Sequence, residues 1–462
     1  MNRFISSWSD DIAVVLEGAG YLLLCTAGAV AFQLNWISMG DLVRLAVFLL
    51  FGLLILAWKR FDGGRHPYFL FLLLLLLCQA GRLIGYTFGY LDDPFQVTLQ
   101  TPIPFDIPRS AAATTLLLIM LSAICVYLPC RWRCPIVQLQ AGWEQRWRKP
   151  AYLLFWLLLP ALIWKNYRYF DYIRSHGNYL VVFTDSEALK TAAGPCLRML
   201  SLLATNAFTI LYLMERKSSR SLSLALLFTL VCVLELLIGF RGKFFLLLLT
   251  LWFIHNLKTG KKFRLPLLLM SGVAMSVLGL VIADFREDRT FEAFTPIKFV
   301  SDQGVPMYIL EAVIAFRDVF KSHALPYLFS GLAINFTSSN NFPPGTLLGN
   351  DLSVFLCPEA FSMGYSTSTC YLAELYLLGG IVPVLLGSLA IGMILRKVHQ
   401  FSGRPLGALV AACTVPGLIY LPRLGVLDPV SQGIKSALGL IAVLPLIIGI
   451  EYLIRIVRLR VK

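Results

Sequence analysis

Short clusters of Lys and Arg separate long apolar segments along most of this 462-residue chain. An α-helix needs about 20 consecutive apolar residues to cross a bilayer, and many of the apolar segments reach that length. Only 14% of the residues are charged, against about 25% in ordinary soluble domains. The sequence therefore predicts an all-α polytopic membrane protein that forms a single integral membrane domain, residues 1–462. The five clusters are 131–149, 216–220, 258–264, 396–404 and 455–462.

The distribution of positive charge predicts the orientation of the chain. Cytoplasmic loops of membrane proteins carry an excess of Lys and Arg, and this excess sets the topology. With both termini in the cytoplasm, all five clusters fall on the cytoplasmic side of a twelve-span arrangement. The predicted spans are 11–33, 41–58, 67–90, 110–129, 150–166, 188–214, 220–240, 243–257, 265–283, 371–395, 405–421 and 434–454.

The only long hydrophilic stretch, residues 284–370, then faces the opposite compartment. Within it, Ile309, Val313, Phe316 and Phe320 recur at helical spacing. This pattern predicts an amphipathic helix of about five turns, lying on the outer membrane surface or covering the core. We therefore expect a large periplasmic loop that contains this helix.

The formal charge of +14 does not indicate nucleic-acid binding, because the charges lie in short loops between spans. Such charges face anionic lipid and act as topology determinants. No P-loop, dinucleotide-binding motif or zinc motif is present in the sequence. We therefore expect a lipid bilayer as a partner, no nucleic acid, and neither a metal nor a soluble cofactor.

Arg241 and Lys243 stand between two apolar segments, with Gly239 and Gly242 beside them. The turn is too short for a surface loop, so the two helices should meet near the membrane border. A cation costs about 2.5–3.5 kcal/mol at the centre of a spanning helix, and is tolerated where it faces a cavity or a partner. The cationic side chains of this turn either reach the headgroups from a helix end or form part of an anion site.

Three further arginines are candidates for binding an anion. Arg286 and Arg289 are three residues apart, so on a helix they point the same way and can grip a diphosphate. Dense mixed charge around them also fits a solvated, self-paired helix start. Arg423 ends a span on the outer side, where an ion pair with Asp428 is the alternative to substrate binding.

Two candidates for proton transfer lie further along. Glu374 falls in the first turn of an apolar segment, so it must be paired or have a raised pKa, as a general acid or base requires. The alternative is a carboxylate that stabilises a helix N-terminus. His323 is a single histidine that is either exposed or catalytic.

Several short motifs occur in a characteristic order between about residue 235 and residue 435: Gly239-Phe240-Arg241-Gly242, Asp302-Gln303-Gly304-Val305, Gly364-Tyr365-Ser366, Ala373-Glu374-Leu375-Tyr376 with Gly379-Gly380, and Leu421-Pro422-Arg423. Together they resemble the Wzy-type O-antigen polysaccharide polymerases. The first half of the chain matches that family in hydropathy alone. Pro306 departs from the pattern, since the family often has a small polar residue there, and this weakens a direct substrate role for Gln303.

The resemblance implies a GT-C-like membrane fold and an inner-membrane glycosyltransferase whose active site faces the periplasm. Its substrate, as donor and acceptor, would be an oligosaccharide repeat carried on undecaprenyl diphosphate. A polysaccharide chain-length regulator is a further implied partner.

A departing diphosphate develops negative charge, which fixed cations stabilise. We therefore predict catalytic roles for Arg241, Arg289, Glu374 and His323, with Glu374 activating the acceptor hydroxyl and His323 as the second candidate. The predicted substrate-binding residues are Arg286, Arg423, Gln303, Arg317, Tyr376 and Lys243.

Other function classes stay open on the sequence. One is an O-antigen ligase, or a lipid-phosphate-sugar enzyme that uses Asp92-Asp93 as a cation site, although carboxylates before Pro94 also fit a turn. Another is a lipid-linked oligosaccharide flippase. Its cavity would need basic residues from both halves of the chain, and the first half offers little beyond Arg44 and Arg82.

Overall fold

The computed structural model describes residues 2–95, 108–132, 147–176, 186–215, 217–238, 241–260, 295–337, 342–362 and 366–460, and the single positions 137, 139, 262, 270 and 277. Every regular element within these residues is helical. The first ten helices are α1 (Asn2–Gln33), α2 (Met39–Arg60), α3 (Pro67–Gln79), α4 (Gly81–Thr87), α5 (Arg109–Arg131), α6 (Arg148–Ser175), α7 (Ser186–Ala193), α8 (Pro195–Met214), α9 (Ser218–Ile238) and α10 (Arg241–Thr259).

The later helices are shorter on average and include two 3₁₀ turns, Lys321–His323 and Leu421–Arg423. They are α11 (Pro296–Gln303), α12 (Val305–Ala315), α13 (Arg317–Phe320), α14 (Ala324–Ser330), α15 (Leu348–Leu356), α16 (Pro358–Ser362), α17 (Tyr371–Gly379), α18 (Ile381–Phe401), α19 (Pro405–Tyr420) and α20 (Asp428–Arg460).

Eight helices in the described part of the chain are long and apolar enough to cross a membrane: α1 from Ile12, α2, α5, α8, α9, α18, α19 and α20. Two bent pairs raise the number to ten if each is one span. One pair is α3 with α4, bent by 65°, and the other is α11–α12 with α13–α14, bent by 83°. The prediction of an all-α polytopic membrane protein is confirmed, and the described residues contain eight to ten candidate spans. Most of the predicted span 265–283 lies outside the described residues.

Two predicted spans are each divided by a glycine with a positive backbone φ. Gly194 has φ 74° and separates α7 from α8, and Gly380 has φ 78° and separates α17 from α18. Glycine adopts these angles without the steric penalty that a side chain brings. A hydropathy average does not detect such a break, because glycine is neither strongly apolar nor strongly polar.

Helix α5 lies at the centre of the bundle and packs against α1, α2, α12 and α18. Its Ser122 hydroxyl lies 2.6 Å from the Tyr371 hydroxyl on α17 and 2.7 Å from the Ser388 hydroxyl on α18. Buried polar groups are stable where they are hydrogen-bonded, and this group joins three helices. Helix α17, which carries Glu374, is thereby fixed against the centre of the protein.

The predicted five-turn amphipathic helix is two separate helices, which corrects the sequence interpretation. Helix α12 ends at Ala315, and the chain bends sharply before α13 begins at Arg317. Every residue from Pro306 to Val313 is buried. A helix that is apolar around its whole circumference is buried rather than interfacial, and α12 fits that rule with Glu311 as its one charged residue.

The two bent pairs touch where glycines bring their backbones together. A Cβ on Gly81, the first residue of α4, would lie 2.2 Å from the Val300 carbonyl oxygen of α11. A Cβ on Gly304, between α11 and α12, would lie 2.4 Å from the Arg82 nitrogen. Any side chain beyond hydrogen would collide with backbone at either position. We refer to this contact of α3–α4 with α11–α12 as the helix crossing.

Candidate functional site

Arg423 and Gln303 come from different sequence motifs and lie together at the helix crossing. Arg423 Nη1 donates a hydrogen bond to Gln303 Oε1 over 3.1 Å. The neighbouring Pro422 carbonyl accepts a hydrogen bond from Gln79 Nε2, at the end of α3, over 2.6 Å. Three segments that are distant in the sequence therefore converge, and the Arg423 guanidinium is held in a defined orientation.

Glu374 is 3% exposed and binds the loop that follows Arg423. Its Oε2 accepts a hydrogen bond from the Val426 nitrogen over 2.8 Å, and its Oε1 accepts one from the Thr369 hydroxyl over 3.1 Å. Burial raises the pKa of Glu374 to about 8, and the charge of Asp428 adds to this rise. Glu374 is thus both hydrogen-bonded and raised in pKa, and its role as a base stays a prediction.

Arg317 and Tyr376 form a second predicted pair that the structure brings together. The guanidinium carbon of Arg317 lies 5.5 Å from the centre of the Tyr376 ring, a cation–π contact. Tyr376 lies on the same short helix as Glu374. A connected series therefore links five of the predicted site residues: Gln303, Arg423, Glu374, Tyr376 and Arg317.

His323 lies in a different environment from this series. It is exposed on the 3₁₀ turn after α13, and its Nδ1 is 3.0 Å from the Ser322 hydroxyl. Gly345 packs on the imidazole so closely that a Cβ there would lie 2.6 Å from His323 Cδ2. The structure thus favours the exposed alternative for His323, although a catalytic role is not tested.

The remaining four predicted residues are described in part or not at all. Arg241 and Lys243 lie in the first turn of α10, and Gly239 and Phe240, which precede it, lie outside the described residues. The side chains of Arg241 and Lys243 lie outside the described residues, as do Arg286 and Arg289 altogether. The anion-binding roles of these four stay predictions.

Two charged residues at the helix crossing were not predicted as site residues. Arg82 is 8% exposed, and its Nε donates a hydrogen bond to the Pro94 carbonyl over 2.9 Å. Glu311 on α12 is completely buried. Each is a single charge inside an apolar helix, which is a recognised sign of function in membrane proteins. Both residues are recognisable in the sequence as single charges within apolar segments.

The acidic pair after the third predicted span forms a turn. Asp93 Oδ1 accepts a hydrogen bond from the Phe95 nitrogen over 2.8 Å, which closes the turn around Pro94. Among the residues that the structure describes, no group of three or more His, Cys, Asp or Glu side chains could hold a metal ion.

A cavity of about 460 Å³ lies elsewhere, between α6 and α9. None of the predicted site residues lines it. The lining residues are Tyr152, Trp156, Arg220, Ser223, Leu224 and Leu227.

Comparison with known proteins identifies a family. A family model described as O-antigen polysaccharide polymerase Wzy matches residues 21–455. This range includes the helix crossing and all ten predicted site residues. No curated protein and no solved structure matches the chain.

Proposed function

The chain belongs to the Wzy family of O-antigen polysaccharide polymerases, and on that premise we propose that it joins undecaprenyl-diphosphate-linked oligosaccharide repeats at the periplasmic face of the bacterial inner membrane. Its family and its apolar helices make it a membrane-bound polysaccharide polymerase. The observation that carries the finer proposal is that α17 joins two predicted pairs. Its Tyr376 contacts Arg317, and its Glu374 binds the loop after Arg423, which is the partner of Gln303.

In the proposed reaction, a hydroxyl of one lipid-linked repeat attacks the anomeric carbon of the growing chain. The bond from that carbon to the lipid diphosphate breaks, and the diphosphate leaves with additional negative charge. Guanidinium groups that are already positioned stabilise this charge in the transition state. We assign this role to Arg423 and Arg317, together with Arg241, Arg286 and Arg289 from the sequence prediction, and Lys243 adds a further positive charge.

Two contacts support the assignment of the described arginines. The hydrogen bond to Gln303 orients the Arg423 guanidinium before substrate arrives. The Tyr376 ring holds Arg317 in a similar way, and the buried Arg317 Nε makes no hydrogen bond within the described residues. A donor that is held in place and makes no hydrogen bond among the described residues can serve a phosphate oxygen.

The sequence prediction named Glu374 as the base that activates the acceptor hydroxyl, with His323 as the second candidate. Glu374 has the burial and the raised pKa that such a group needs. Both of its oxygens, however, already bind Thr369 and Val426. Activation of the acceptor through Glu374 therefore requires at least one of these hydrogen bonds to be exchanged.

The proposal includes a GT-C-like fold in one membrane domain, with residues 284–370 as its outward-facing loop and a chain-length regulator as a partner. Its topology is directly testable. Alkaline phosphatase becomes active only when it folds in the periplasm. Fused after residue 320 it should therefore be active, and fused after residue 140 it should be inactive. Reversed activities would place the candidate site on the cytoplasmic side and exclude the proposal.

The function itself is tested in a host strain from which the gene has been deleted. We expect lipopolysaccharide that carries a single repeat, and a ladder of longer chains when the wild-type gene is restored. Electrophoresis of the lipopolysaccharide shows the length of the attached chains in the deletion strain and in the restored strain. Lipopolysaccharide without any attached repeat would instead indicate a ligase and contradict the proposed polymerase.

A further inference from the structure

Glu311 is a buried carboxylate without a hydrogen-bond partner among the described residues. It is completely buried on α12, and neither Oε1 nor Oε2 is hydrogen-bonded there. The hydroxyl of Tyr308, three residues earlier on the same helix, is likewise buried and unbonded within this part of the chain. Residues three apart share one face of a helix, so the two groups are neighbours. Polar groups left in this state need a physical explanation.

The other buried carboxylates of the described residues have a structural explanation. Glu215 accepts a hydrogen bond from the Tyr152 hydroxyl over 2.8 Å, and Asp428 accepts one from the Gly425 nitrogen over 2.9 Å. Glu374 uses both of its oxygens. Each of these three side chains stabilises a neighbouring segment. Glu311 stabilises none by hydrogen bonding in the described structure, so a carboxylate at this place in an apolar helix calls for another role.

The position of Glu311 connects it with the candidate site. Helix α12 begins directly after Gly304, which joins it to α11 and to Gln303, the partner of Arg423. Among the described residues, Asp93 and Arg82 act electrostatically on Glu311. Arg82 belongs to α4, immediately after the break in the first bent pair. In membrane proteins, interrupted helices and single intramembrane charges mark the places where substrates bind.

Resting on the proposed function, we propose that Glu311 accepts the proton of the acceptor hydroxyl and that the Tyr308 hydroxyl binds the same sugar. The hydroxyl oxygen forms a bond to the anomeric carbon, whose bond to the diphosphate oxygen breaks. The electron pair of that bond leaves with the diphosphate, and the hydroxyl proton moves to the Glu311 carboxylate and later to solvent. Since Glu311 is covered in this structure, the side chains that cover it must move aside before the acceptor can reach it.

Glu311→Gln tests this inference, because it keeps the shape of the side chain and removes the proton acceptor. With full-length protein and lipid-linked repeats extracted from the deletion strain, we expect the rate of elongation to fall about 100-fold or more. The KM should stay within about threefold of wild type, since the loss affects the transition state. The midpoint of thermal unfolding should stay the same or rise, because an unpaired buried carboxylate is removed.

Three further variants separate chemistry from structure. Glu311→Ala should regain part of its activity with added formate, which supplies a carboxylate where the side chain is missing. Glu374→Gln should lower the unfolding midpoint, since Glu374 accepts hydrogen bonds from Val426 and Thr369. Glu359→Gln, at an exposed position, should change neither the rate of elongation nor the midpoint of thermal unfolding.

The outcomes are distinguishable from failure of the proposed function. If wild-type protein does not elongate the extracted repeats, the proposed function itself is overturned. If wild type elongates them and Glu311→Gln does so at the same rate, only the role of Glu311 is overturned. A lowered unfolding midpoint in Glu311→Gln, with no recovery of Glu311→Ala in formate, would make Glu311 a structural residue and would also overturn the inference.

Discussion

Arg423→Ala is expected to lower the rate of chain elongation about 100- to 1,000-fold, the usual effect of removing one preorganised charge-stabilising group. The protein should still accumulate in the membrane, because Arg423 is only partly buried and the adjoining turn is also held by the bond from Gln79 to Pro422. The measurement is the initial rate of elongation with extracted lipid-linked repeats, normalised to the amount of protein. Loss of the rate at normal protein level assigns Arg423 to the reaction rather than to folding.

Arg423→Lys distinguishes the shape of the cation from its charge. Lysine keeps the positive charge but lacks the planar fork that binds two phosphate oxygens at once, so we expect it to restore little of the rate. Gln303→Ala should cost less, about tenfold, which is the lower end of the about 1.5–3 kcal/mol that a hydrogen bond to a charged group contributes. In the double variant the two losses should not add, because Gln303 acts by orienting Arg423.

Arg44→Ala is the matched control for Arg423→Ala. Arg44 is exposed and pairs with Asp41 over 3.3 Å on the surface of α2. Exposed pairs of this kind contribute about 1 kcal/mol or less. The elongation rate of Arg44→Ala should therefore equal that of wild type. A normal ladder of polysaccharide from Arg423→Ala would remove Arg423 from the mechanism, whatever the control shows.

The class of the protein followed from the sequence because it depends on averages. Mean hydropathy and the placement of Lys and Arg are properties of whole segments, and they predicted an all-α polytopic membrane protein. The family resemblance depended on five short motifs in a fixed order, and the family match covers residues 21–455. Neither argument needs the position of any single side chain.

The breaks in the helices could not be predicted in the same way. Whether a glycine interrupts an apolar segment depends on what packs against it, and Gly52 lies within an unbroken α2 whereas Gly380 ends α17. Helix α12 was predicted to be amphipathic from one apolar stripe at Ile309 and Val313. Its opposite face is also apolar, and the tertiary contacts that bury it are invisible to a helical wheel.

The candidate site was predicted in its chemistry but not in its connections. Arg423 and Gln303 were each identified by residue type and position, yet their 3.1 Å contact spans 120 residues of sequence. Glu374 was expected to be buried and perturbed, and the segment that it binds, at Val426, was not foreseen. Glu311 was overlooked because a single carboxylate on a predicted surface helix needs no partner, whereas on a buried helix it does.

Gly81→Ala is expected to separate the helix crossing and to lower both stability and activity. The added Cβ would lie 2.2 Å from the Val300 carbonyl oxygen, and also close to the backbone of Gly304, so no side-chain rotation can relieve the collision. Overpacking of this kind costs about 1–3 kcal/mol. The expected result is a lower midpoint of thermal unfolding in detergent, measured on full-length protein.

The loss of activity in Gly81→Ala should exceed what the loss of stability explains. A displacement of about 1 Å in a catalytic arrangement can lower a rate about 100-fold, and the crossing positions Arg82, Gln303 and Glu311 together. Gly52→Ala is the matched control: a Cβ there has nothing within 4 Å, so the better helix propensity of alanine should raise stability and leave elongation unchanged. If Gly81→Ala elongates repeats at the wild-type rate, the close approach of these backbones does not position the site, and the catalytic residues must be sought away from the crossing.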